Sequence, residues 1–371
     1  MKLRYGNASM KVTRKESVKM KAVVLCGKGQ VEYREVPEPV IGDDDILLEV
    51  KACGICGSDL HFYYGRLEPM GQVPFIMGHE FAGVIAGIGK NVTDYWKIGD
   101  RVVSENTGDA CGRCPSCAAG NFVACAHRQT MGCSMDGGFT KYVRIPGRLL
   151  QMYPNCLYHI PDNLSFSEAT LMDPAANGYN AVIQQAGFRS GETAVVFGVG
   201  ALGLMSIQQA YIGGASRVIA VGMSSDRRSR EAIARKYGAT DFLASDEEED
   251  LVGSVRKIAG ESGVAVVVDA AGVPMITEQA IRIVRNEGAV VRIGMSDKTY
   301  NRGLDDFALK NVRIIGHMGY NAESWRNSLA LAAAGRLDLK SIITCELPLE
   351  QYHQGFEMSR TQEASKVILI P

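Results

Sequence analysis

Ala194-Val195-Val196-Phe197-Gly198-Val199-Gly200-Ala201-Leu202-Gly203 is a short apolar run that ends in a G-x-G-x-x-G turn and opens into a second apolar stretch, 204–211. The glycine pattern alone is weak evidence, but a strand before it and a helix after it make it a dinucleotide fingerprint. The first glycine makes a tight turn, the second lets the backbone approach a pyrophosphate, and the third allows the helix to pack closely on the strand. The helix N-terminus then turns its partial positive charge toward the phosphates. The bland alternative is a tight turn that binds nothing.

The pattern differs on the two sides of this turn. On its C-terminal side, apolar runs at 217–221, 264–268, 289–293 and 312–315, with a weaker one at 241–243, alternate with helical stretches such as 228–237 and 276–284. Runs so short and so continuously apolar predict buried parallel strands, hence a doubly wound sheet from about residue 192. From Met20 to about Arg144 the runs are β-branched and broken by Gly, Pro and Asp, as in 46–50, 81–85 and 101–103. That pattern predicts a β-rich, barrel-like domain. A chain of 371 residues has room for both cores.

Forty basic against 41 acidic residues leave a net charge of −1, so no general field favours nucleic acid or an anionic membrane. Residues 1–19 are basic and mostly polar, with no apolar run, and read as a flexible N-terminal extension or an over-long start, with an organelle presequence as the alternative. They are neither an export signal nor a membrane span, so the expected compartment is the cytosol.

Cys111, Cys114, Cys117 and Cys125 lie within 15 residues. Four thiolates so close can surround one Zn²⁺ tetrahedrally, whereas paired disulfides would need the loop to double back repeatedly. An all-sulfur cage has no open position, so it supports structure and the chemistry lies elsewhere. A second set fits that need: Cys56, followed by Ser58, Asp59 and His61, then His79 and Glu80. One thiolate, one imidazole and one or two carboxylates leave Zn²⁺ a position for water or substrate, with Asp59 and Glu80 suited to orient the ligands.

The run Gly54-Ile55-Cys56-Gly57-Ser58-Asp59, the triplet Gly78-His79-Glu80, the four cysteines, Gly137-Gly138-Phe139 and the nucleotide fingerprint occur in that order. In this the chain resembles the zinc-dependent medium-chain alcohol and polyol dehydrogenases, from Met20 to the C-terminus, and within them the sorbitol, threonine and galactitol-phosphate branch. The resemblance implies an α/β protein: a GroES-like β-rich catalytic domain, 20–176 and 318–371, with a Rossmann domain, 177–317, inserted. It implies two Zn²⁺ per chain, a catalytic one on Cys56 and His79 with Glu80 a ligand or near-ligand, and a structural one on the four cysteines. The fourth catalytic position falls on Asp173, where polyol enzymes carry glutamate; direct ligation, a water bridge and a plain helix cap beside Pro174 are all open. Ser58 and His61 would relay the proton, and Zn²⁺ as a Lewis acid lowers a hydroxyl pKa, for water from 15.7 toward about 7.

The expected cofactor contacts are Gly198, Gly200, Ala201, Leu202, Gly203, Gly222, Ser224, Ser225, Arg227 and Arg228, with Ala271, Gly272, Ile293 and Gly294 beyond later strands. An NAD site usually ends its second strand in an acid, and here that position is Gly222. The hydroxyls and guanidinium groups after it favour NADP slightly, with NAD served by Asp226 or backbone amides as the other choice. Phe62, Tyr63, Tyr64, Arg66 and Tyr320 are candidates to shape the pocket for a small alcohol or polyol. Gly319 stands where sorbitol enzymes often carry arginine, which leaves the alcohol open, threonine included. A homodimer or homotetramer is expected, with 312–317 as a subunit-edge strand. The competing reading is a zinc knuckle on a non-catalytic nucleotide sensor, which the second metal set argues against.

Overall fold

The computed structural model describes residues 18–296, 298–299 and 305–371. Of the N-terminal extension, only Val18 and Lys19 are therefore described, and Lys19 already pairs with Pro37 in the strand Lys19–Gly27.

Two sheets carry the molecule. The first has seven strands in the order Leu157–His159, Arg101–Ser104, Glu80–Ile88, Ile46–Gly54, Lys366–Ile370, Ile343–Pro348, with Tyr142–Ile145 also paired to Ile46–Gly54. The C-terminal strands Ile343–Pro348 and Lys366–Ile370 thus return to the sheet built by the N-terminal part of the chain. Leu369 pairs with Cys53 and Ile368 with Gly54, so the C-terminal strand lies beside the segment that leads into Cys56. Residues alternate inward and outward along Ile46–Val50, as a sheet with one buried face requires.

The second sheet has six strands in the order Asp241–Ala244, Arg217–Gly222, Thr193–Phe197, Val264–Asp269, Val284–Arg292, Arg313–Gly316, every pairing parallel. All residues of Thr193–Phe197 and Val264–Asp269 are buried, because helices cover both faces of the sheet. The chain order reverses between these two central strands, which opens a crevice beyond their C-terminal ends.

The predicted strands are present, but the one expected at 312–315 as a buried strand is Arg313–Gly316, an edge strand that is largely exposed, and two element boundaries differ. The run predicted to start at 289 belongs to Val284–Arg292, with Glu287 at φ 60° in its irregular first half. The stretch 228–237 is not one helix: a short 3₁₀ turn, Ser224–Arg228, precedes the helix Glu231–Lys236. Asp226 causes the break by accepting the Met223 N–H at 2.9 Å and pairing with Arg230 at 3.2 Å, which closes a turn of its own.

The helix Met172–Tyr179 runs without interruption through the expected domain boundary at 176/177 and continues as a π-helix, Asn180–Gln185. Asp173, Asn177 and Asn180 share one face at helical spacing. That face meets the segment linking Arg313–Gly316 to the helix Ala322–Ala333: Asp173 contacts Tyr320, Asn177 contacts His317, and Asn180 contacts the Gly319 carbonyl. Among the described residues no helix is long and apolar enough to cross a membrane.

Candidate active site

Cys56 ends the extended segment after Ile46–Gly54 and caps the helix Gly57–Tyr63. Its N–H is held at 2.9 Å by Asp59 Oδ2, which fixes the thiol at the sheet edge. His79 and Glu80 enter from the neighbouring strand Glu80–Ile88, whose register sets Glu80 opposite Gly54. The ligand atoms of Cys56, His79 and Glu80 all lie within 4.8 Å of one another.

The electrostatics suit a cation. Burial opposes a charge on His79, but the negative charge that Cys133, Asp59 and Cys56 can carry outweighs it and lifts its pKa well above the usual imidazole range. Among the described residues Asp59 Oδ1 is buried without a hydrogen-bond partner, 3.7 Å from His79 Nδ1. An unpartnered carboxylate oxygen aimed at a ring nitrogen is what an imidazole needs when its other nitrogen ligates a metal. The donor set therefore fits Zn²⁺.

Glu80 is more constrained than its sequence position suggests. Lys366, on the C-terminal strand, forms a buried ion pair with Glu80 Oε2 and donates to the Ile55 carbonyl at 2.8 Å. The space is tight enough that a Cβ at Gly54 would lie 2.3 Å from Glu80 Oε2. One carboxylate oxygen is thus committed to the ammonium.

Asp173 lies in the same buried region but outside the three-ligand cluster. Its Oδ2 accepts a hydrogen bond from Asn106 Nδ2 at 2.7 Å and lies 2.7 Å from the Tyr320 hydroxyl, while Asn177 Nδ2 reaches Oδ1 at 3.2 Å. Burial and the Glu80 charge raise its pKa to about 6. Behind it, burial raises Glu105 to about 8, against the pull of Arg128 and Thr107. Arg128 also holds Asn106 at 2.8 Å and Thr107 at 3.2 Å, so this polar wall is continuous. Ser58 and His61 lie on the helix Gly57–Tyr63, both half-buried.

The candidate pocket aromatics divide differently. Phe62 is core, Tyr63 and Tyr64 are bonded to His353 and Glu357 of the C-terminal helix Tyr352–Arg360, and Arg66 packs over Tyr64. Tyr320 supports Asp173.

The four-cysteine lobe satisfies a simple geometric test. Tetrahedral ligation with Zn–S bonds of about 2.3 Å requires sulfur separations of about 3.8 Å. Cys111 Sγ lies 3.6 Å from Cys125 Sγ and 4.0 Å from Cys117 Sγ, and all four sulfurs fall within 4.8 Å of one another. All are free thiols. N–H groups of Cys111, Cys114, Cys117 and His127 point at the sulfurs from 3.4–3.5 Å. The N–H groups of Arg113 and Cys114 pull the Cys111 thiol down to about 6, while burial pushes Cys117 up to about 12. Four thiolates together therefore need a cation.

Gly198 has φ 84°, and a Cβ at Gly203 would lie 1.7 Å from the Gly198 carbonyl, so the turn and the close helix approach both require glycine. A Cβ at Gly200 would meet nothing within 4 Å, leaving open space over the N-terminus of the helix Ala201–Ile212, where no side chain caps the turn. Such a helix start can cradle a pyrophosphate. Ala201 and Leu202 open this helix. Ala271, Gly272, Ile293 and Gly294 converge on the same crevice, held by Asp269: its Oδ1 accepts from Gly272 N at 2.7 Å and Ala271 N at 3.2 Å, and its carbonyl from Ile293 N and Gly294 N, each at 2.9 Å. At the second strand, Gly222, Ser224, Ser225, Arg227 and Arg228 sit at the crevice rim, but Ser224 and Arg227 are engaged by acidic neighbours.

Comparison with known proteins agrees with this architecture. Residues 42–155 match the alcohol dehydrogenase GroES-like domain and residues 201–334 match the zinc-binding dehydrogenase domain. The zinc-type alcohol dehydrogenase-like protein YdjL of Escherichia coli is 38% identical, over 94% of this chain and 98% of that protein. An L-threonine 3-dehydrogenase of Bacillus velezensis is 32% identical over 95% of this chain and 99% of its own length, and a sorbitol dehydrogenase of Bacillus subtilis is 32% identical over 95% and 97%. The chain belongs to the zinc-dependent medium-chain alcohol dehydrogenase family. It is an oxidoreductase of alcohol dehydrogenase type, with zinc and a nicotinamide cofactor, built from a GroES-like and a Rossmann fold. A zinc-binding dehydrogenase of Sinorhizobium meliloti bound to NADP superposes with a TM-score of 0.85 at 29% identity, covering 96% of this chain and all of that one.

Sequence reasoning passed over Lys366, Asn106, Asn177 and Asp269. Asn106 had a local signal, since Asn tolerates the left-handed φ of 59° that follows the strand Arg101–Ser104. Lys366 had none, being 286 residues from Glu80.

Proposed function

We propose that the protein oxidises a secondary alcohol of a polyol or sugar alcohol, reversibly, by hydride transfer to a nicotinamide cofactor. The observation that carries this reading is the Cys56–His79–Glu80 cluster, half-buried at Cys56 and buried at the other two, close enough to the polar group of Asp173, Asn106 and Tyr320 for the Glu80 charge to act on Asp173. A simple alcohol needs an apolar pocket, whereas a substrate with several hydroxyls needs donors and acceptors of this kind.

When bound at the cluster, Zn²⁺ would supply the Lewis acidity that eases loss of the hydroxyl proton. Cys56 and His79 would hold it, with Glu80 restrained by Lys366 close by and Asp173 acting through a direct or water-bridged contact. Asp59 orients both ligands, binding the Cys56 N–H and facing His79. Ser58 and His61 carry the proton outward from the side of Cys56. The strands that present these groups keep the site away from bulk water, with Cys53 and Phe81 buried behind them. The second zinc would sit on Cys111, Cys114, Cys117 and Cys125. The division at 20–176, 177–317 and 318–371 is the working domain assignment. Arg313–Gly316, the sheet edge with Ile314 exposed, is the surface through which a homodimer or tetramer would form.

L-threonine is the second reading, supported by the similar identity of the threonine and sorbitol enzymes. Initial rates over pentitols, hexitols, sugar phosphates, threonine and simple alcohols test both. Cys56→Ser should abolish turnover and reduce zinc from two ions per chain to one, with the melting temperature little changed. Undiminished turnover in that variant would remove Cys56 from the mechanism.

A further inference from the structure

The second strand of the nucleotide sheet, Arg217–Gly222, ends without a carboxylate, yet one stands beside it. Gly222 pairs with Ala244 of the neighbouring strand Asp241–Ala244, and the Gly222 carbonyl accepts hydrogen bonds from Ser245 N at 2.8 Å and Ser245 Oγ at 3.1 Å. Those bonds carry the chain across the C-terminal end of the second strand and bring Asp246 against it. There the Asp246 carboxylate is gripped at both oxygens by one residue: Ser224 N–H donates to Oδ1 at 2.7 Å and Ser224 Oγ to Oδ2 at 2.5 Å.

The same acidic segment engages the guanidinium nearest to it. Arg227 Nη2 bonds Glu247 at 2.7 Å and Nη1 bonds Glu231 at 3.0 Å, with the guanidinium lying over the Phe242 ring. Arg230 is paired with Asp226. Of the cations on this rim, Arg228 is the exposed one with no ion pair among the described residues. Asp246 and Glu247 stand on the rim that a 2′-phosphate would have to enter, and two of its natural donors, Ser224 and Arg227, already serve carboxylates, which leaves Arg228 as the cation that could meet it. A 2′-hydroxyl, by contrast, can donate to a carboxylate.

We infer that Asp246, supplied by the third strand of the sheet, is the specificity-determining carboxylate for the adenosine ribose, and that with Glu247 it makes this chain selective for NAD over NADP. The inference rests on the reading of the protein as a nicotinamide-dependent dehydrogenase. Position 222 itself has no room for the role. A Cβ there would lie 2.9 Å from Phe242 Cζ and 3.0 Å from Asp226 Oδ2.

The test is a fluorescence titration of the full chain with NADH and with NADPH, in the absence of any alcohol. NADH should bind at least tenfold more tightly. Asp246→Asn should cut that preference by about tenfold, and Asp246→Asn with Glu247→Gln, which also frees Arg227 Nη2 while Nη1 stays on Glu231, should cut it further by tightening NADPH. Glu249→Gln removes the same unit of charge from a nearby exposed position that makes no such contact, and should leave the preference unchanged. Equal or tighter binding of NADPH by the unmodified chain overturns the inference. So does a preference that Asp246→Asn leaves unmoved, or one that Glu249→Gln lowers equally. Failure of both dinucleotides to bind overturns the dehydrogenase reading and this inference with it.

Discussion

Lys366 shows how far a single side chain shapes the candidate metal centre. An ammonium and a carboxylate, both buried, hold each other beside the ligand cluster, and the Ile55 carbonyl takes a further proton of the ammonium. The attraction of Glu80 helps to raise the Lys366 pKa although burial opposes its charge. Lys366→Met would strand Glu80, so urea denaturation should show a loss of about 3–5 kcal/mol. Adding Glu80→Gln should restore most of it; an additive double variant would mean that the two groups do not act as a pair. Cys56, His79, the glycine turn and the four cysteines were legible one residue at a time, because each has a distinctive chemistry and spacing. Lys366, Asn106 and Asn177 were not, because ordinary lysines and asparagines acquire meaning only from what the fold sets against them.

Among the elements, the cysteine lobe is the one that cannot support itself. Between Cys111 and Cys125 the regular structure amounts to the four-residue helix Pro115–Ala118 and the 3₁₀ turn Phe122–Ala124. Its core is Ala110, Cys117 and Cys125. So little apolar surface does not offset the entropy of ordering such a loop, and ligation of a metal by the four cysteines, as proposed above, would supply the difference. Cys111→Ala should lower the melting temperature by roughly 5 °C or more and open the lobe to protease while the nucleotide sheet stays folded. An unchanged melting temperature with zinc still at two ions per chain would refute a structural role. The parallel sheet lies at the other extreme: continuous apolar runs announced burial on both faces, which the central strands have, whereas the edge strand Arg313–Gly316 is largely exposed because it has a neighbour on one side alone; the limits of the helical stretch 228–237 and of the strand Val284–Arg292 also departed, where Asp226 and Glu287 impose local geometry.

At the scale of the molecule, His317 ties the edge of the parallel sheet to the long helix that borders the site. It follows the edge strand Arg313–Gly316 and lies 2.7 Å from Gln185 Oε1 and 3.1 Å from Asn177 Oδ1, on the helix that also carries Asp173. Burial lowers its pKa to about 4. The unfolded chain takes up this proton below about pH 6.5 while the folded chain does not until about pH 4, so stability is full above pH 6.5 and falls as the pH drops through that window. From pH 6.5 to pH 5 the loss is about 2 kcal/mol. His317→Gln should remove this part of the acid limb in urea melts at the two pH values. An unaltered slope would show that His317 is not held neutral.

By itself the sequence determined the two kinds of fold, the order of motifs, both candidate metal sets and the dinucleotide turn. All of these are local: backbone conformation, hydrophobic period and ligand spacing are written within a few tens of residues. Only the tertiary structure decided that Glu80 is paired with Lys366, that Asp173 is held by Asn106 and Tyr320, and that Asp246 and Glu247 occupy the donors on the ribose rim. These pairings join residues brought together by strand register and by the return of the C-terminus to the first sheet. Their energetics depend on burial, and a side chain has no burial until the chain has folded around it.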